Sequence, residues 1–116
     1  DPNYLRKSLE RTHRWEIRSL ETHLKNPNKQ AIYAVIHGGI DQTLRNESCR
    51  ILTKHPFDGF AVGGSMGTTK EEMVSMLEKT VPNLPEDKPN HLLGVADLES
   101  LEKCIKTFQT FFYGLS

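Results

Sequence analysis

The sequence predicts an α/β fold in which one helix precedes three consecutive strand–helix units. Three short apolar runs begin at residues 31, 59 and 91, and each of them ends at glycine. A stretch with apolar residues at helical spacing follows each run, and the runs recur about every 30 residues, the period of a strand–helix unit. Ligands bind in the loops after parallel strands, so the three glycine-containing strand ends are the candidate functional region.

The first predicted helix covers residues 4–25. Its apolar stripe consists of Leu5, Leu9, Ile17, Leu20 and Leu24. Arginines alternate with glutamates over the rest of its surface, which indicates a solvated face rather than a phosphate-binding one. The sequence Asn26-Pro27-Asn28 ends this helix, because proline does not continue one.

The first strand–helix unit begins with residues 31–36, a continuous β-prone run that predicts a strand buried on both faces, as in a parallel sheet. Its helix begins after Asp41, a typical cap residue, and ends before Pro56. The apolar face of that helix consists of Leu44, Ile51 and Leu52.

The second and third units repeat the pattern. Gly59–Val62 is the second strand, and Thr69-Lys70-Glu71-Glu72 is a capping box that opens a helix. The buried face of that helix consists of Met73, Met76 and Leu77. Residues 91–95 form the third strand, and Asp97 caps the last helix. The apolar stripe of the last helix consists of Leu98, Leu101, Ile105, Phe108 and Phe112.

Strand–helix repeats of this kind predict a parallel sheet with two possible architectures. A doubly wound sheet of three strands would be small and poorly covered. A (β/α)₈ barrel needs eight strands in about 250 residues, and this sequence has three. We therefore predict a partial (β/α)₈ barrel.

The composition excludes several function classes. Of 116 residues, 36% are hydrophobic and 26% are charged, which excludes a disordered or collagen-like chain. Lys plus Arg and Asp plus Glu number 15 each, so no net charge draws the whole molecule to nucleic acid or to an anionic membrane. With no apolar stretch of bilayer length and no secretory leader, we predict a cytoplasmic protein without a membrane partner.

Cysteines, histidines and aspartates give no catalytic or metal site of their own. Cys49 and Cys104 stand apart, which predicts buried free thiols. Four histidines lack the spacing of metal ligands and are assigned to packing or to the surface: His13, His23, His55 and His91. Asp41 and Asp97 are explained as helix caps, and Asp58 precedes its strand, so none of these three is a candidate nucleophile.

Four motifs occur in order along the chain. They are Ala34-Val35-Ile36-His37-Gly38-Gly39 with Arg45 after it, Phe57-Asp58-Gly59-Phe60-Ala61-Val62-Gly63-Gly64-Ser65, Asp87-Lys88-Pro89 and Leu92-Leu93-Gly94-Val95. Together they resemble the central part of the queuine and archaeosine tRNA-ribosyltransferases, the tRNA-guanine transglycosylases. The resemblance implies a TIM-barrel enzyme that exchanges guanine at the tRNA wobble position for queuine or a 7-deazaguanine precursor. An aspartate of such enzymes attacks the ribose carbon and is then displaced by the incoming base.

The resemblance also implies the site residues. Base binding is assigned to His37, Gly38, Gly63, Gly64, Leu93 and Gly94, and RNA binding to Gly94, Val95, Ala96, Asp97, Leu98, Glu99 and Ser100. The Gly64 N–H would serve the carbonyl oxygen of the base, and Leu93 would form an apolar wall. His37 stands where many members have glutamine; the residue pattern alone favours a structural histidine, whereas the resemblance favours a ligand.

The resemblance does not extend through the whole chain. Residues 1–105 correspond to the central barrel segment, and residues 106–116 form an aberrant aromatic tail. The nucleophilic aspartate of the family would fall near Tyr113, so we expect no catalytic residue here, and the family's zinc site also lies outside the match. The chain is then part of an enzyme that works as a homodimer or heterodimer on tRNA. The alternative is a non-catalytic accessory subunit or a degenerate copy that only binds base, RNA or a catalytic partner.

Overall fold

The computed structural model describes residues 1–26, 28–64, 66–94 and 97–112. The helices and strands are α1 Pro2–Lys25, β1 Tyr33–Ile36, α2 Gln42–Leu52, β2 Gly59–Val62, α3 Lys70–Thr80, β3 Asn90–Leu92 and α4 Leu98–Phe112, with a 3₁₀ turn Val81–Asn83 between α3 and β3. This order confirms the predicted helix followed by three strand–helix units. No helix in the described ranges is long and apolar enough to cross a membrane.

The three strands form one parallel sheet in the order β1-β2-β3. Ile36 lies opposite Val62, and Val62 lies opposite Leu92, so all three strands end at the same edge of the sheet. The predicted α/β class and parallel sheet are confirmed. This register places the glycine-containing loops after the strands side by side.

Helices α2 and α3 cover one face of the sheet and form the core with it. Phe57 and Phe60 pack edge to face, with ring centroids 6.1 Å apart, and Leu52 and Leu77 are fully buried beside them. Burial of this much apolar surface is the main stabilising contribution in a domain of this size.

The prediction that the first strand is buried on both faces is wrong. Ala34 and Ile36 are fully buried in the core, whereas Tyr33 is 40% exposed and Val35 is half-buried. Ala34 and Ile36 share one face because successive side chains of a strand point to opposite sides. Helices α2 and α3 pack on that face. The strand itself is also shorter than predicted, beginning at Tyr33.

The predicted helix caps are confirmed by hydrogen bonds to the first turn of each helix. The Leu44 N–H donates to Asp41 Oδ1 at 3.1 Å, and the Ser100 N–H donates to Asp97 Oδ2 at 3.0 Å. Thr69 caps α3, whose predicted face of Met73, Met76 and Leu77 is buried. Each cap satisfies a backbone donor that the helix itself leaves unpaired.

The buried face of α4 differs from the predicted apolar stripe. Leu98 is 81% exposed and Ile105 is 53% exposed, while Ser100, Cys104 and Thr107 are buried. Small side chains at these positions let α4 lie close to α3 and the 3₁₀ turn, and this close packing determines which face turns inward. The side chains of Phe108 and Phe112 lie outside the described part. Cys104, like Cys49, is a buried free thiol, as predicted.

Helix α1 lies along the outer edge of β1 and packs on α2. The Val35 N–H points away from β2 and donates to Glu16 Oε1. Burial raises the pKa of Glu16 to about 7, and the hydrogen bond from Val35 acts in the opposite direction. Of the predicted stripe, Leu20 is buried, whereas Leu5 and Leu24, near the helix ends, are exposed.

Candidate functional site

The six predicted base-binding residues follow the ends of the three strands. His37, Gly63 and Leu93 come directly after β1, β2 and β3. Gly64 and Gly94 have φ values of +79° and +81°, a backbone conformation that favours glycine. The fold therefore brings the three loops to one edge of the sheet, as ligand sites in parallel α/β folds require.

A cavity of about 180 Å³ opens between the ends of β1 and β2 and the first half of α1. Its lining consists of His37, Gly38, Gly39 and Gly64 from the loops and Leu5, Ser8, Leu9 and Thr12 from the helix. The helix wall was not predicted from the sequence. The sequence feature that indicates this wall is the pair of small polar residues, Ser8 and Thr12, beside the apolar stripe of α1.

Leu93 and Gly94 lie beside this cavity without lining it. Leu93 lies against Gly63: a Cβ atom at position 63 would be 3.0 Å from Leu93 Cδ1 and 3.2 Å from Val35 Cγ1. The structure therefore joins His37, Gly38 and Gly64 in one cavity and leaves the third loop outside it. Leu93, at 37% exposed, keeps its apolar surface accessible on that side.

Arg45, in the first turn of α2, ties the strand ends together. Its side chain is completely buried. Nη1 donates to the carbonyl oxygens of Ile36 at 2.7 Å and Gly63 at 2.8 Å, and Nε donates to that of Gly39 at 2.8 Å. Burial lowers the pKa of Arg45 to about 10, so the guanidinium stays charged at neutral pH. The sequence places Arg45 in one of the four motifs but does not indicate this role.

A buried hydroxyl connects His37 to α1. The His37 N–H donates to Ser48 Oγ at 3.3 Å, and the same Oγ lies 2.9 Å from His13 Nε2. Burial lowers the pKa of both histidines, and for His37 the charge of Arg45 lowers it further, so both rings are neutral at pH 7. His13 is a packing histidine, as predicted, but it also supports the loop of the candidate site.

Replacement of Ser48 by alanine is expected to destabilise the protein by roughly 1–3 kcal/mol, because a buried ring nitrogen and a backbone N–H lose their partner. Ser75→Ala is the matched control, since Ser75 is an exposed serine inside helix α3 and gains the same helix propensity. Urea unfolding of the two variants measures the difference. Equal midpoints would show that the Ser48 hydroxyl does not support the loop.

The segment predicted to bind RNA carries more acidic than basic groups. Asp97 and Glu99 both contact Lys70 Nζ, at 3.3 and 2.8 Å, and Leu98 is exposed. The Ser100 N–H, and after it Lys70, lower the pKa of Asp97 to about 2. The Asp97 carboxylate therefore occupies the helix N-terminus where a phosphate would bind. Val95 and Ala96 lie outside the described residues, as does Tyr113.

The described ranges contain no group of three potential metal ligands among their His, Cys, Asp and Glu side chains. Asp58 lies at the opposite end of the sheet, where its Oδ2 accepts a hydrogen bond from the Ile32 N–H at 2.8 Å.

Comparison with known proteins decides the family. A profile of the family described as Queuine tRNA-ribosyltransferase matches residues 1–107. The chain belongs to the queuine tRNA-ribosyltransferase family. A protein of that name from Protochlamydia amoebophila is 70% identical over 101 residues, which are 87% of this chain and 26% of the relative. Others from Chlamydia abortus and Chlamydia felis are 48% and 46% identical over 90% and 91% of the chain and 28% of each relative.

The family predicted from the four motifs is thus confirmed. The chain spans about a quarter of the length of these queuine tRNA-ribosyltransferases. The cavity at the ends of β1 and β2 lies within the matched region.

Proposed function

We propose that this chain forms the base-binding part of a tRNA-guanine transglycosylase, which exchanges guanine at the tRNA wobble position for queuine or a 7-deazaguanine precursor. The observation that carries the proposal is the cavity at the strand ends. On one side it is lined by the neutral His37 and by glycine backbone, and on the other by α1, which contributes two leucines and two small polar residues. Flat heterocycles bind where apolar walls enclose a few fixed polar groups.

The lining suits a purine-like base. Leu5 and Leu9 offer apolar contact to the ring, and the glycine loops leave room for the ring to approach the backbone. Because His37 Nδ1 is buried, the neutral ring offers its Nε2 to the base, as donor or acceptor according to the tautomer. The Gly64 N–H is a donor for a carbonyl oxygen. Gly63 and the third loop, with Leu93 and Gly94, would complete the site in a closed barrel.

A partial (β/α)₈ barrel is the architecture that this proposal requires. Three parallel strands in chain order, each followed by a helix, are consistent with it. Within this proposal the barrel segment covers residues 1–105 and the tail residues 106–116; the family match ends at residue 107. The nucleophilic aspartate that forms the covalent aspartyl-ribosyl intermediate, and the zinc site, would then come from residues outside this segment.

Transfer RNA with a wobble guanine is the proposed macromolecular partner, in the cytoplasm, and the complete enzyme would act as a homodimer or heterodimer. The segment 94–100 is the proposed RNA contact. It adjoins the site, and Lys70 and Lys103 lie beside it, where they pair with Glu99. These two lysines are proposed to contact a phosphate.

A chimera tests the proposed function. The 101 matched residues of this chain replace their counterpart in the Protochlamydia amoebophila relative, and exchange of labelled guanine into tRNA is measured beside the unaltered relative. We expect exchange by the chimera and none by the 116-residue chain alone, because a ribosyl adduct needs a carboxylate within reach of the anomeric carbon. A folded chimera that binds tRNA without exchange would favour the accessory-subunit alternative. Exchange by the chain alone would place the nucleophile within it.

A further inference from the structure

We propose that Arg45 is a positioning residue of the base site, which fixes the direction of the Gly64 N–H and strengthens it as a hydrogen-bond donor. The ligand selected in this way carries a carbonyl oxygen on its recognised edge. This inference rests on the proposed function for the identity of the ligand as a base, but the role of Arg45 follows from the geometry of the strand ends.

The peptide unit between Gly63 and Gly64 connects Arg45 to the candidate site. Its C=O and N–H groups belong to one planar trans unit and therefore point in opposite directions. Arg45 Nη1 holds the Gly63 carbonyl oxygen at 2.8 Å, so the Gly64 N–H is directed away from the guanidinium. Gly64 lines the cavity and Arg45 does not, which supports an N–H directed to the cavity side.

A peptide between two glycines needs such a restraint. Neither residue has a Cβ atom to oppose rotation of the peptide plane, and glycine populates positive and negative φ about equally. The same Nη1 also binds the Ile36 carbonyl oxygen at 2.7 Å, so β1 and β2 are fixed to one point. Arg45 therefore holds the loop that carries His37 and the loop that carries Gly64 at a constant separation.

The charge of Arg45 adds to this effect. A cation on the carbonyl oxygen polarises the amide and makes the N–H of the same unit a stronger donor, as in chains of hydrogen bonds. No described residue accepts a hydrogen bond from the Gly64 N–H. A bound carbonyl oxygen is a suitable acceptor for it, and a ligand without that oxygen would gain nothing from the polarised group.

The test compares two bases in the full 116-residue chain. Guanine carries the carbonyl oxygen and 2-aminopurine lacks it; binding of each is measured by calorimetry for the original chain, Arg45→Met and Arg45→Lys. We expect Arg45→Met to weaken guanine binding roughly tenfold or more and to change 2-aminopurine binding by about twofold at most. Arg45→Lys keeps a charge near one carbonyl and should retain part of the preference. Arg50→Met, an exposed arginine of the same helix, is the matched control.

An amide resonance provides a second readout that needs no ligand. The ¹⁵N signal of Gly64 should move upfield in Arg45→Met, while that of Gly67 should not move. Equal loss of both bases, or an unmoved Gly64 signal, would overturn the role of Arg45. If the original chain binds neither base, the proposed function fails while the amide signal still decides the inference. If Arg45→Met does not fold, the same two measurements on Arg45→Lys decide it.

Discussion

Alanine at position 38 should destabilise the protein by roughly 3 kcal/mol, the combined cost of overpacking and backbone strain. A Cβ atom there would lie 2.7 Å from the backbone nitrogen of Arg45 and 3.0 Å from the carbonyl carbon of Leu44. Both contacts are with backbone, so the first turn of α2 would have to move. Gly38 also has a φ of +141°, which side chains rarely adopt.

Gly39→Ala is the control for this prediction. Gly39 has a φ of +60°, and a Cβ atom there would have no neighbour within 4 Å, so we expect a loss of about 1 kcal/mol from left-handed strain alone. Urea unfolding of both variants gives the difference. If the two losses are equal, or if Gly38→Ala is nearly neutral, then the contact between Gly38 and α2 is not the constraint that requires glycine.

Valine at position 64 is expected to lower the affinity for 7-deazaguanine by at least about a hundredfold. Its side chain would fill part of the cavity and would shift the backbone N–H that donates to the base. A Cβ atom at Gly64 would lie 3.2 Å from His37 Cδ2, and the two further methyl groups would extend into the lining of the cavity. The φ of +79° is also a genuine outlier for a β-branched residue. Calorimetry with 7-deazaguanine measures the loss.

Two further variants separate blocked binding from misfolding. Gly64→Ala adds one carbon against the edge of a ring and should give an intermediate loss. Lys79→Ala changes an exposed side chain in the last turn of α3 and should bind as the original chain does. Thermal unfolding of each variant reports whether the fold survives. Equal affinity of a folded Gly64→Val and Lys79→Ala would remove Gly64 from the binding site.

Local patterns were sufficient to predict the strand–helix order and the caps. The spacing of the three glycine-ended runs identified the strands, and Asp41, Thr69 and Asp97 marked helix starts because their side-chain oxygens have a local purpose at those positions. Such signals depend on residues close in sequence. The family followed from four motifs in order.

Features that depend on packing between helices and strands could not be predicted from local sequence patterns. Apolar spacing predicts that the large apolar residues of α4 form its buried face. In the structure Ser100 and Cys104 face inward, because close approach to α3 favours small side chains. The role of Arg45 depends on carbonyl groups from one strand end and two loops, which adjoin only in the folded chain. Likewise, no sequence spacing indicates that His13 meets Ser48 across two helices.

The two outer edges of the sheet differ in how readily they can be extended. At β1 the Glu16 carboxylate already accepts from the Val35 N–H, so an added strand must exchange one partner for another. At β3 no described side chain accepts a hydrogen bond from the strand's N–H groups, so a strand added there would displace no such bond. A strand added at β3 would therefore displace fewer side-chain hydrogen bonds than one added at β1. A protonated Glu16 is a weaker acceptor, so transfer of the Val35 N–H to an added strand should cost less as the pH falls below 7.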